Sequence, residues 1–385
     1  MDSKQVINII KSGETSKVQF KEKLDSIDSI VAEMIAMANT KGGMILFGIN
    51  DKSGSVTGID YKEIQTINNK LANAASDMIK PAIYIITEVV SLEGKNILIV
   101  LVEEGISKPY KNTQGTIWIK QGSDKRKLTD NHEQIRLFQK SGILYTDEMI
   151  VPLTSAKDLD YKKIRTYLEA VTKEPYEDDA INETVLLNMS VLRDNRLTLA
   201  GLLFFGLNPQ AFRPAFCIKA VCYLGNSVGD SLYRDSRDIT GTLPELFEKA
   251  MAYFDVNLHY RQPEPNFNTV GVLEISPVAL EEVLQNALIH RDYSINASIR
   301  IMIFKNRVEI ISPGSLPNYL SVESILLGNA VVRNNRLVSF CSKLMRYRGF
   351  GSGIIRAVQN QPNIIFFNDV VGEQFIVTIP RPPEP

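Results

Sequence analysis

The stretch EEVLQNALIHRDY, residues 281–293, constrains this chain more than any other segment. Its apolar residues recur at helical spacing. On a wheel of about 100° per residue, Leu280, Val283, Leu284, Ala287 and Leu288 form a broad apolar face. Glu282, Asn286 and His290 fall along the border of that face, whereas Glu281 and Gln285 fall on the side expected to meet water. Such a helix must press its apolar face onto a core while an acid, an amide and an imidazole line the rim. A polar stripe in that place either faces a cleft or consists of satisfied boundary residues. The surrounding sequence has to decide between them.

With 385 residues the chain is too long for one ordinary core, so two or three domains are expected. No apolar run approaches the roughly 18–20 residues of a membrane span, and the start MDSKQVINIIKSGETSK lacks the basic-then-apolar layout of a signal peptide. A formal net charge of −1 means that any nucleic-acid binding must use a local patch rather than global charge. Cys217, Cys222 and Cys341 sit in apolar surroundings without a CxxC pair, which predicts buried thiols in a reducing cytoplasm. The three histidines are not paired at metal-ligand spacing.

Three blocks are expected: 1–140, 145–255 and 256–385. In the first, SIDSIVAEMIAMAN is an amphipathic helix capped by Asp25 or Ser26 and ended by Asn39 and Gly42-Gly43. MILFGIND reads as a strand, VTGID as its return, and 61–79 as a second helix; AIYIITEVV, KNILIVLVEE and GTIWIKQGS follow as strands. The middle block is an α/β connector module, with DYKKIRTYLEAV and GTLPELFEKAMAYFDVN helical and TLAGLLFFG and FCIKAVCYLG as strands. In the third, SIRIMIFKNRVEIIS alternates and turns at Lys305-Asn306-Arg307, a hairpin. A mixed segment, 313–348, leads to the glycine-rich start of a helix, RGFGSGIIRAVQ, and to two closing strands.

Gly349, Gly351 and Gly353 directly precede a helix, where close backbone approach and free N–H groups suit a phosphate. The order of a helix with Glu282 and Asn286, a hairpin ending in SPGSLP, a lid-like segment and a GxGxG helix resembles the GHKL ATP-binding fold of gyrase, histidine kinases and MutL. QNALIHRDY resembles most closely the divergent branch in RecG-related bacterial transcriptional regulators. The resemblance covers about 265–380 and implies an α/β sandwich that binds ATP or ADP with Mg²⁺. By that resemblance Asn286 helps to hold Mg²⁺, Glu282 orients or deprotonates water, and Gly349, Gly351 and Gly353 wrap the phosphates, with His290 one turn further along and Ser312 and Gly314 at the base. Ser312 stands where the family has an adenine-binding aspartate, and a hydroxyl accepts more weakly than a carboxylate, so weak binding is expected. The chain has no GxxxxGK[ST] P-loop.

GETSKVQFKEKL followed by ANTKGG and FGIND resembles the Schlafen/AlbA-type domain over about residues 1–130, as do KPY at 108–110 and WIKQGS at 118–123. The resemblance implies nucleic-acid binding and, in some members, RNA cleavage by a carboxylate cluster. Its first acid matches Glu14 and a third matches Asp51, but Gln19 occupies the second acid's place. An amide is no carboxylate base and a poorer ligand for a hard dication, so binding is expected rather than cleavage. Lys17, Lys21 and Lys41, with Lys120, Lys125 and Arg126, are the candidates for a phosphate-binding face; Trp118 reads as core.

These readings combine into an α/β (α+β) protein: a cytoplasmic, homo-oligomeric regulator in which nucleotide occupancy orders the 313–348 segment and gates domain or subunit contacts. A Schlafen-like metal-dependent nuclease with a GHKL-like sensor, and a non-catalytic scaffold, are the alternatives.

Overall fold

Strand alternation builds the layers of the first of two units, Met1–Leu144, in the computed structural model. The structure describes residues 1–141, 144–262, 271–317, 320–345, 347 and 351–382. Gly43–Phe47 and Lys95–Val102 each turn alternate residues to opposite faces: Ile45, Phe47, Leu98 and Val100 to one, Leu46, Ile97 and Ile99 to the other. Val18–Lys21 joins their sheet in parallel beside Gly43–Phe47, and Ile85–Leu92 closes the other edge antiparallel. The Ile27–Asn39 helix covers the first face with Ile30, Val31, Met34, Ile35 and Ala38, and the Ser3–Ser12 helix contributes Val6 to the second. Met34 and Ile35 are fully buried, each stabilising the fold by about 2 kcal/mol. Ser26 is the cap, accepting from the Ser29 N–H at 3.3 Å.

Asn39, where that helix ends, ties distant segments together. Its Nδ2 donates to the carbonyls of Tyr110 at 2.8 Å and Trp118 at 3.0 Å, and its Oδ1 accepts from the Tyr110 N–H at 2.7 Å. Trp118 packs half-buried against the core, as its strand position predicts. The expected return strand at VTGID is not formed; isolated bridges join Ile49 to Val56 and Ile59 to Asn96. Asn50 diverts this backbone, its Oδ1 accepting from the N–H groups of Lys52 and Ser53 in a local turn.

The second unit is Tyr145–Pro385 and spans the segments expected on either side of residue 255. Ile218–Tyr223, assigned by sequence to a separate connector, pairs in parallel with Ile299–Ile303. Among the described residues that sheet runs Tyr233–Ile239, Ile218–Tyr223, Ile299–Ile303, Arg307–Pro313, Gln374–Pro380 and Ile365–Asp369. Ile218, Ala220 and Cys222 are buried, and an interior strand of this kind needs a partner on each side. The hairpin, the closing strands and the 161–172 and 243–257 helices form where the sequence places them.

TLAGLLFFG is a helix, Leu199–Phe205, and not the expected strand. Every one of its residues is buried, so its apolar run carries no alternation by which the two periods could be told apart. Thr198 caps it by accepting from the Gly201 N–H at 3.0 Å, and Phe204 and Phe205 meet Phe340 edge-on. No helix among the described residues is long and apolar enough to cross a membrane, and the three cysteines are buried.

Asp147 anchors the Asn335–Leu344 helix, accepting from the N–H groups of Arg336 at 2.7 Å and Leu337 at 3.1 Å. Burial pushes its carboxyl up to about 6 against the pull of these donors. The folded state therefore holds this proton more tightly than the unfolded chain does. The stabilisation is full below pH ~4 and is lost as pH rises through about 6, on the order of 3 kcal/mol. Asp147→Asn should remove that slope: urea unfolding at pH 4.5 and 7 should show the variant gaining on the wild type as pH rises, and parallel curves would contradict the assignment.

Candidate functional site

The Pro277–Ile289 helix lies with its apolar face in the core, and Glu282, Asn286 and His290 line a cleft. Ser312 and Gly314, at the end of Arg307–Pro313, line the same cleft, as do Gly351 and Gly353 at the start of the Ser352–Asn360 helix. Seven of the eight sequence-selected residues thus converge; Gly349 lies outside the described residues. Ile310, Leu320, Ile325, Val331, Phe375 and Val377 make much of the wall apolar.

Two glycines shape the start of the Ser352–Asn360 helix. A Cβ on Gly353 would come within 2.5 Å of Glu282 Oε2 and 3.3 Å of Asn286 Nδ2. Gly351 adopts φ +70°, and a Cβ there would overlap the carbonyl oxygen of Gly328. Asn286 donates Nδ2 to the Glu282 carbonyl at 2.8 Å, which leaves its Oδ1, a hard oxygen donor, uncommitted. Glu282 is nearly buried and forms an ion pair with Arg356.

His290 terminates the helix, its Nε2 2.9 Å from the Tyr347 hydroxyl. Burial, reinforced by the Arg333 charge, lowers its pKa to about 4, so the ring is neutral at pH 7 and can exchange a hydrogen bond without carrying charge. Ser312 is buried and donates to the Ala287 carbonyl at 3.0 Å, so its hydroxyl proton is committed within the fold. Gln285 departs from its expected wet position: it is buried, donating to the Met345 carbonyl at 3.1 Å.

The rest of the HRDY run holds the chain turn after the helix. Arg291 is buried over the Phe216 ring, 4.4 Å from its centroid, and donates to the carbonyls of Ile295 and Ala297. Tyr293 donates to the Leu288 carbonyl at 2.8 Å. Asn334 donates to the carbonyls of Ile289 at 2.8 Å and Arg291 at 2.9 Å, and Arg333 donates to those of His290 and Ser315. These bonds anchor the later part of the expected 313–348 lid, whose residues 318, 319, 346 and 348 lie outside the described residues. Arg356, Tyr347 and Arg333 were not selected from sequence. A cation one turn into a glycine-led helix was the available signal for Arg356.

In the first unit the acidic cluster is differently disposed. Glu14 accepts from the Gln19 side chain and from the Phe20 N–H at 2.7 Å, while Asp51 is exposed in the turn. Glu22 accepts from Asn50 Nδ2 at 2.8 Å. Among the described residues no group of three or more His, Cys, Asp or Glu is disposed to hold a metal. With an amide donor on Glu14, the donor set does not fit a dication.

The expected basic face also narrows. Lys120 is buried, pairing with Glu33 at 2.5 Å and donating to Gln19 Oε1 at 3.1 Å. Lys125 pairs with the same carboxylate at 3.1 Å, and Arg126 forks onto Glu133 at 2.7 and 2.9 Å. Lys17 and Lys41 are exposed, and the Val18–Met44 pairing brings their segments together; Lys21 stands at the strand's other end.

Comparison with known proteins adds three matches. Residues 14–129 match a family described as "Schlafen, AlbA_2", 296–363 match "Putative ATP-dependent DNA helicase recG C-terminal", and 136–218 match a domain of unknown function. The second match starts beyond Glu282, Asn286 and His290, which therefore rest on geometry. The DIP2311 protein from Corynebacterium diphtheriae is similar at 20% identity over 99% of this chain and 80% of its own, with a TM-score of 0.49. The N-terminal domain of a RecG-related protein from Nitrosomonas europaea shares 21% identity over 34% of this chain and 97% of its own, TM-score 0.26. No curated protein matches the chain.

The two glycines should differ in their response to alanine. Gly351→Ala forces a side chain into a left-handed backbone and against a carbonyl, and should cost about 2 kcal/mol or more in urea unfolding. Gly353→Ala meets the movable end of Glu282 and should cost less than half of that. Equal losses would contradict the geometry.

Proposed function

We propose that this chain, which pairs a Schlafen AlbA_2 domain with a RecG-related C-terminal domain, is a nucleic-acid-binding regulator whose C-terminal cleft takes ATP or ADP. The convergence of Glu282, Asn286, His290, Ser312, Gly314, Gly351 and Gly353 on one cleft carries this reading. The apolar wall suits a base, and the glycine-led helix start suits phosphates. The GHKL fold is the arrangement this reading assigns to residues 256–385.

Asn286 Oδ1 would hold Mg²⁺ together with nucleotide phosphates; one protein oxygen is enough for an ion that keeps several waters. When bound, that ion neutralises phosphate charge. Glu282, once released from Arg356, would take a proton from a water. The water oxygen would bond to the γ-phosphorus as the bond to the β–γ bridging oxygen breaks, the proton passing to the carboxylate. Ser312 offers the base a weak acceptor, so affinity is modest. Occupancy then biases the 315–332 segment, and through it contacts with another domain or subunit.

At the N-terminal domain Lys17, Lys21 and Lys41 supply phosphate contacts for DNA or RNA, and Gln19 removes one carboxylate that cleavage would need.

Titration of the full chain with ATP should give Mg²⁺-dependent binding that Asn286→Ala abolishes without unfolding. Glu282→Gln should keep nucleotide and lose hydrolysis. Unchanged affinity in Asn286→Ala would remove that residue from the site.

Nucleic-acid affinity should fall steeply with salt, and Lys21→Ala or Lys41→Ala should weaken binding to all sequences alike. Rapid cleavage of labelled single-stranded RNA by wild type, abolished in Glu14→Ala, would overturn the regulator in favour of a nuclease.

A further inference from the structure

We infer that Arg356 is a phosphate-binding residue of the cleft, masked by Glu282 until a ligand's phosphate takes the carboxylate's place. The inference rests on the nucleotide reading of this cleft and adds its regulation. Among the described residues lining the cleft, Arg356 is the one cation and Glu282 the one anion. They are paired with each other.

The position of the Glu282 carboxylate carries the point. One oxygen, Oε1, pairs with Arg356; the other, Oε2, lies against the first turn of the Ser352–Asn360 helix, where a Cβ on Gly353 would approach it to 2.5 Å. That helix starts at Gly351, and no side chain among the described residues caps it. A guanidinium and an uncapped helix start are the two features that suit a phosphate, and the carboxylate is held between them. Arg356 Nε is buried and has no hydrogen-bond partner among the described residues, so Glu282 leaves the guanidinium incompletely satisfied there. Arg333 is spent on the carbonyls of His290 and Ser315.

Two anions cannot share that place. A polyphosphate carries more charge than one carboxylate and offers the guanidinium a forked contact, so it displaces Glu282. The exchange has a chemical consequence: the carboxylate becomes available to a water only when Arg356 has been drawn to phosphate. The empty cleft holds its base inactive.

A pair that merely fastens two helices makes the opposite prediction for one variant, which is the basis of the test. The full-length wild type, Glu282→Gln, Arg356→Gln and Arg356→Lys are titrated with ATP and with adenosine, and each is melted by circular dichroism. Arg356→Gln should weaken ATP about tenfold or more and leave adenosine unchanged, with Arg356→Lys between. Glu282→Gln, which removes the internal competitor, should bind ATP several-fold more tightly than wild type. Binding by Glu282→Gln alone would also support the exchange, as a complete mask.

Where wild type binds ATP, Arg356→Gln binding it as well, or Glu282→Gln binding it more weakly, overturns the inference and leaves the nucleotide reading standing. Failure of both wild type and Glu282→Gln to bind overturns both. Should Arg356→Gln fail to fold, the Glu282→Gln and Arg356→Lys affinities decide.

Discussion

The cleft of the second unit depends on the close approach of two helices, Pro277–Ile289 and Ser352–Asn360. Gly353 brings the first turn of the second helix against the side chains of Glu282 and Asn286. Close approach sets the polar stripe of one helix against the uncapped start of the other, and the strand ending at Pro313 closes the third side. A buried acid in such a place must be paired, and Arg356 pairs it. The site's geometry and its electrostatics therefore share one origin. The residues beyond the helix, from Arg291 to Tyr293, hold the chain turn with backbone-directed bonds, so the HRDY run divides into a histidine facing the cleft and a structural knot behind it.

The first unit uses buried charge differently. Glu33 sits on the central helix with Lys120 and Lys125 on its two oxygens, and Lys120 reaches on to Gln19, which in turn binds Glu14. This chain of bonds ties the Trp118–Gln121 strand to the helix and to the edge of the sheet. Restoring an acid at residue 19 would add a negative charge beside Glu14 and Glu33. The glutamine is thus integral to the packing of this face. Lys120, Lys125 and Arg126 are here committed to the fold, whereas Lys17 is exposed and Lys21 half-buried at the two ends of the Val18–Lys21 strand.

Elements with a clean period were legible in the sequence. The 27–39 helix shows its apolar stripe and the 299–313 hairpin alternates, whereas the stripe of Glu282, Asn286 and His290 by itself fits a cleft or a satisfied boundary equally. Leu199–Phe205 was not legible, because burial on all sides erases the difference between a helix and an interior strand. Nor was the joining of the middle and C-terminal blocks, since parallel pairing of Ile218–Tyr223 with Ile299–Ile303 links segments about eighty residues apart. Pairings at long range, Glu33 with Lys120 and Glu282 with Arg356, leave no local trace in composition or spacing. They decide which charges can meet a ligand.

The most direct test of the account is amide hydrogen exchange of the full chain with and without ATP and Mg²⁺. Nucleotide seated in this cleft should slow exchange in the first turn of the Ser352–Asn360 helix and in the Gly314–Leu316 turn, with the strands of the first unit unchanged. Protection confined to the first unit, or absent from the 352–360 helix at saturating nucleotide, would contradict it.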